Sequence, residues 1–178
     1  MDSKAASPTH PMTPAIVSSA HLANSKVPEL SEMEFALNLA NNGFQKWIVR
    51  AMAAAGYGDM SPLEVQVLHM VVHRDKAKRM ADICLMLNLE DIHTVSYALK
   101  KLEKAGVVKS TRQGKEKLVT ATQKGVQACA EYREIRENCL IAALESLNLD
   151  RQDLSRLSGL LRALSGIYDQ AARSAASM

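Results

Sequence analysis

Beyond Pro62 the sequence contains no proline; its five stand at positions 8, 11, 14, 28 and 62. Proline removes a backbone donor and clashes with the preceding turn, so the chain from Leu63 onward has nothing of that kind to interrupt helices. It is expected to be mostly helical. Cysteine is equally sparse. Cys84, Cys129 and Cys139 have no CxxC spacing, so zinc is not signalled. The opening segment lacks an apolar run long enough for a signal peptide or a membrane span. The expectation is a cytoplasmic protein with no membrane partner and with reduced thiols rather than a disulfide framework. A Gly-rich phosphate loop, a nucleophile elbow and paired catalytic carboxylates are all missing, which disfavours an enzyme and gives no cofactor to look for.

What is present bounds the architecture. A chain of 178 residues with 47% hydrophobic content can bury one domain-sized core. The first 28 residues are rich in Pro, Ser, Ala and Thr and show no period, so residues 1–28 read as a disordered tail. The net charge of +3 is modest, but it is unevenly placed: residues 74–117 hold 11 Lys/Arg against 6 Asp/Glu, a local +5 that leaves −2 for the remainder. Positive charge concentrated on one stretch is what phosphate binding requires.

The helix pattern divides the chain into a small head and longer arms. A first helix is expected over about 31–55, within a segment 29–57. Met33, Leu37, Ala40, Phe44, Trp47 and Ala51 alternate by four and three, the seam of helices packed side by side. Ser61-Pro62-Leu63-Glu64 gives a second helix a capping box, with Glu64 reaching back. A third is expected over about 77–87, with Ile83 and Leu87 inward, Cys84 packed inside, and Lys78 and Arg79 near phosphates. Asp91 to Gly106 is amphipathic at helical period: Ile92, Val95, Leu99 and Leu102 on one side, His93, Tyr97, Lys100, Lys101 and Lys104 on the other. Such a rod fits the major groove of B-DNA.

Gly106 reads as the stop of that helix. Val107, Val108, Leu118 and Val119 read as apolar positions of two short strands whose tip runs from Arg112 through Gly114, Lys115 and Glu116 to Lys117. A basic hairpin directly after a recognition helix is a wing. Thr122 then caps a long helix toward Asn148, whose stripe starts at Val126 and Cys129 and resumes at Leu140, Ala143, Leu144 and Leu147. Asp150, with Asp153, starts a last helix on which Leu154, Leu157, Leu161, Leu164, Tyr168 and Ala171 repeat the three-four seam.

The stretch 61–125 resembles the winged helix-turn-helix regulators of the MarR (multiple antibiotic resistance regulator) family. The likeness rests on Thr94-Val95 early in the recognition helix, on Leu102-Glu103 with Gly106-Val107-Val108 at its end, and on Val119, Thr122 and Gly125 after the wing. Where the family's wing carries an Asp-x-Arg pair, this chain has Ser110-Thr111-Arg112. The resemblance implies a mainly α fold with a DNA-binding domain at 61–125, and a first helix and C-terminal helices (126–174) that interlock two subunits. It also implies a transcription regulator, in the sense of a repressor, that binds double-stranded DNA at a palindromic operator.

Thr94, Tyr97 and Lys101, with His93 at the helix start, are then expected at the bases. Lys100 and Lys104 are expected at phosphates, and Arg112, Lys115 and Lys117 in the wing contacts. Leu37, Phe44, Trp47, Leu154, Leu157, Leu161, Leu164 and Tyr168 are the dimerisation candidates. Trp47, Tyr57 and Tyr132 mark a candidate effector pocket, set against the blander reading that they are core aromatics. His69 and His73, four apart, have a spacing that can chelate a metal, but HMVVH lacks the metalloprotease glutamate and no third ligand is placed. They read as surface or interface histidines. Cys129 and Cys139 are candidate oxidant sensors if exposed, against buried thiols acting as small hydrophobes. The rival to a DNA-binding regulator is a helical protein-interaction module.

Overall fold

Three helices of this protein end in the same way, and the endings set the shape of its centre. The computed structural model describes residues 26–178 except 115 and 148; residues 1–25, Lys115 and Asn148, on which parts of the tail, wing and long-helix expectations fall, lie outside the described residues. Helix α1 (Pro28–Ala54) begins three residues earlier than its seam predicts, because Pro28 with its fixed φ can occupy the first turn. Gly56, at φ 89°, closes it: the Gly56 and Tyr57 N–H groups donate back to the Ala53 and Met52 carbonyls. Helix α3 (Met80–Met86) ends with Asn88 at φ 52°, and α4 (Ile92–Lys104) with Gly106 at φ 74°, each with the same paired back-bonds. These are left-handed C-terminal caps, a conformation that Gly and Asn adopt at least cost.

Helix α2 (Pro62–Val72) starts from the predicted capping box: Glu64 N–H donates to Ser61 Oγ at 3.4 Å and Ser61 N–H to Glu64 Oε2 at 3.2 Å. The third helix is shorter than expected. Lys78–Arg79 form a two-residue strand, β1, which pairs antiparallel with β3 (Glu116–Ala121), itself paired with β2 (Val108–Gln113). The wing is thus two strands of a three-stranded sheet ordered β1-β3-β2. Its tip is also tighter than expected, since Arg112 and Gln113 lie opposite Lys117 and Glu116 within the ladder.

The core lies where α2, α4 and β3 meet the end of α1 and the start of α5 (Gln123–Arg136). Leu68, Ile83, Leu99, Leu102, Val107 and Val119 are fully buried, each removal from water contributing roughly 1.5 to 3 kcal/mol. Cys84 is buried among them, as expected. Ile92 is not: it is 41% exposed, and Ala98 takes its place beside Val95, Leu99 and Leu102. On α5 the inward residues are Gly125, Ala128 and Tyr132; Val126 is exposed and Cys129 half-buried, one position off the predicted stripe. The inward position 125 is glycine because a Cβ there would run into the Val107 carbonyl oxygen.

The long helix after the wing is not uniform. Past Arg136 it loosens into a π-turn (Glu137–Ile141) before the short α6 (Ala142–Glu145). Helix α7 (Arg151–Ala175) has the predicted Asp150–Asp153 capping box and buries no residue. Leu154, Leu157 and Leu161 on it and Phe44 on α1 are all more than a third exposed, while Leu164, Tyr168, Leu37 and Trp47 are half-buried. Among the described residues no helix is long and apolar enough to cross a membrane.

Candidate nucleic-acid interface and junction cavity

Helix α4 presents its polar side outward because Val95, Ala98, Leu99 and Leu102 anchor the opposite side in the core. Asp91 caps it, accepting the His93 N–H at 2.8 Å and the Thr94 hydroxyl at 2.6 Å. The Thr94 hydrogen bond, followed by that of His93, holds the Asp91 carboxyl below its ordinary range. Near the middle of the exposed arc stand His93, Tyr97, Lys100 and Lys104, by the 100° rotation per residue of an α-helix. Tyr97 is 64% exposed, an aromatic ring held out on a helix surface with no core to fill.

Lys101 is differently placed. Its ammonium sits 3.2 Å from Glu64 Oε1 and 5.1 Å from the Tyr97 ring centre. The hydrogen bond to Glu64 comes first among the causes that raise its pKa. Glu64 is almost fully buried, so the lysine is the counter-charge that lets a capping carboxylate sit under α4. Glu64 was expected as a cap and Lys101 at the bases; the crossing of α2 and α4 pairs them instead.

The wing is tied down on both sides. Glu103 of α4 accepts the Ser110 hydroxyl and pairs with Lys117 at 3.4 Å, and Arg79 of β1 pairs with Glu116 at 3.2 Å and with Asp82 at 3.8 Å. Lys78 donates to the His73 and Lys76 carbonyls at 2.8 and 2.9 Å. Of the sequence candidates, Arg112 is exposed on β2 beside the tip, and Lys115 lies outside the described residues.

A cleft of about 430 Å³ opens behind the head, where α1, α2 and the end of α3 meet α5. Phe44, Ile48, Val65, Met70, Met86 and Leu87 give it apolar walls, and Gln66, His69, His73, Tyr132 and Arg136 its polar groups. Of the three aromatics predicted for a pocket, only Tyr132 lines it. Trp47 packs against the core without lining the cleft, and Tyr57 lines a separate groove with Lys101 and Lys104.

His69, expected on a surface or interface, is mostly buried here. Its ring meets Tyr132 edge-on at 4.5 Å, its Nε2 is buried without a hydrogen-bond partner, and burial lowers its pKa. The only advance signal was its four-residue spacing from His73, which places both on one side of α2. Among the described residues no group of three or more His, Cys, Asp or Glu gathers to hold a metal. Burial pushes the half-buried Cys129 thiol up to about 11, whereas Cys139 is exposed on the π-turn.

A family profile described as a winged helix DNA-binding domain matches residues 60–125. No curated protein matches the chain. Solved structures do. CouR from Rhodococcus jostii, bound to p-coumaroyl-CoA, has a TM-score of 0.64 at 15% identity over 83% of this chain and 96% of its own. MarR from E. coli, a mutant complexed with operator DNA, has a TM-score of 0.62 at 16% identity over 79% of this chain and 99% of its own. A MarR family regulator from Neisseria meningitidis has 0.63 at 20% identity over 82% and 97%. The fold is theirs: mainly helical, with a winged head and a small antiparallel sheet.

Proposed function

We propose that this chain, a winged-helix protein built on the fold of the MarR family regulators, is a transcription regulator of that kind, a repressor that binds a palindromic operator as a homodimer. The observation that carries the reading is the outward arc of α4. His93, Tyr97, Lys100 and Lys104 form an exposed aromatic and cationic face on a helix that a buried stripe and a capping aspartate hold rigid. Rigid placement of base-reading groups is what sequence discrimination needs, since phosphate contacts alone carry no sequence information. Tyr97 and His93 read bases, with Thr94 fixing the helix start. Lys100 and Lys104 meet phosphates, Lys101 holds α4 on Glu64, and Arg112 and Lys117 bring the wing to the adjacent groove. Residues 61–125 are the reading head, and residues 29–57 and 126–174 the dimerisation region. The MarR structure complexed with operator DNA supports the partner class.

The test is a binding series on random duplex and on a site selected from a random duplex library. The chain should bind both with an affinity that falls steeply with salt. Tyr97→Ala should cost about 1 to 3 kcal/mol on the selected site and less on random duplex. Absence of salt-dependent DNA binding would favour the protein-interaction module instead.

A second activity is favoured by the unpartnered His69 Nε2. An apolar cleft of ordinary ligand size, with the His69 and His73 imidazoles and the Arg136 guanidinium among its polar groups, suits a small, largely apolar effector with a polar or anionic end. CouR bound to p-coumaroyl-CoA supports an effector of this general kind. Such a ligand would release or tighten the head on its operator.

A further inference from the structure

The last third of α7 touches two other parts of the chain. Tyr168 donates its hydroxyl to Glu34 Oε1 of α1 at 3.0 Å, and Asn88 donates its side-chain amide to Ser165 Oγ at 3.3 Å and to Asp169 Oδ1 at 3.1 Å. An ionised Asp169 only accepts, so the amide nitrogen is the atom that faces it. Ser165 and Asp169 are one turn apart on one side of α7, and Tyr168 stands next to them. Asn88 is the left-handed residue that caps α3 and opens the helix-turn-helix turn, three residues before Asp91 caps the recognition helix. Glycine would serve that cap at least as well, so the backbone alone does not call for a side chain here.

We propose that Asn88 is a positioning residue that clamps the turn in front of the recognition helix to α7, and so fixes the recognition helix relative to the arm. Among the described residues, the hydrogen bonds from this one amide are the polar tie between helix-turn-helix and final helix. Met86 and Leu87, which precede it, wall the cleft, so the same turn joins cleft, arm and recognition helix. With the arms joined in the homodimer proposed above, on which this inference rests, two such clamps set the distance between two recognition helices. Half-site spacing is the quantity that distance controls.

Asn88→Gly tests it, because glycine keeps the left-handed cap and deletes only the amide. Asp169→Ala removes the partner without touching the turn. Full-length wild type and both variants are each used to select binding sites from a random duplex library. Solution masses and thermal midpoints are measured alongside. Wild type should select one centre-to-centre spacing. Both variants should select the same half-sites over spacings that spread by two or more base pairs, with mass unchanged. One shared spacing for all three proteins overturns the clamp and leaves the dimer standing. Selection of lone half-sites by a monomeric wild type overturns both. Loss of binding in proportion to lowered thermal midpoints, with spacing intact in what still binds, shows a merely structural residue and also overturns it.

Discussion

The head and the arms of this molecule handle apolar surface in opposite ways. Between Ser61 and Tyr132 nearly every large apolar residue of the helices' inner sides is covered, from Val65 and Leu68 to Leu102 and Val119. On α7, equal in length to two or more head helices, nothing is buried, although Leu154, Leu157, Leu160, Leu161 and Ile167 all stand on it. The head satisfies its hydrophobic pattern from its own sequence. The arm carries a pattern of the same strength, and among the described residues it is left uncovered. A contiguous apolar stripe of this extent is unusual on a monomer and marks an interaction surface. Under the proposed function the difference separates two jobs: the stability of the head is internal, whereas bivalence would depend on a second copy.

The sharpest way to break that comparison is to charge the arm. Leu157→Glu with Leu161→Glu should halve the solution mass while leaving the melting of the head intact. It should lower affinity for a selected palindrome by roughly 100-fold or more, because the second recognition helix loses its effective concentration. A double variant of unchanged mass, or a wild type already monomeric at micromolar concentration, would remove α7 from the interface.

The head's self-sufficiency is tested from inside by Gly125→Ala. The added methyl meets the Val107 carbonyl, which already accepts the Thr122 N–H at 3.0 Å, and approaches Leu68 Cδ1 at 3.4 Å. Helix α5 must then move off the corner between α4 and β2. A loss of about 3 kcal/mol is expected from overpacking against backbone, read by chemical denaturation with the solution mass followed separately. A loss under about 1 kcal/mol would show that the corner yields.

What the sequence revealed divides along the range of the interactions. Local signals were legible: the Ser61–Glu64 and Asp150–Asp153 boxes, the Thr122 cap and the Gly106 stop each involve residues within one turn, and all stand in the structure. Lys78–Arg79 read as helix because their strand exists only through pairing with Val119 and Leu118, some forty residues on. Ile92 and Val126 read as core because period alone does not say which neighbour closes each side; Ala98 and Ala128 occupy those places, small residues where helices approach closely. In the interface, exposure of Tyr97 followed from the amphipathic pattern, but the capture of Lys101 by Glu64 did not. The cleft was legible only in Tyr132, since its other walls come from four separate helices.

The smallest expected effect probes the seam between head and arms, at His69. Burial against Tyr132 and the cleft walls disfavours the imidazolium, so the folded chain holds this pKa below the ordinary imidazole value while the unfolded chain does not. Above pH ~6.5 the ring is neutral in both states and contributes no pH dependence. As pH falls below that value the unfolded chain takes up a proton that the folded chain resists, so stability declines, and the decline levels off below the folded pKa. The slope is bounded by about 1.4 kcal/mol per pH unit and should be shallower, because the ring is only partly buried. His73 and Arg136 face the same cleft, so the quantity to read is the difference between wild type and His69→Gln. Unfolding free energies from pH 7.5 down to 5 should converge as pH falls if the buried ring is the cause. Parallel curves would show that His69 is solvated in solution, and would take away the neutral polar group on which an effector in that cleft depends.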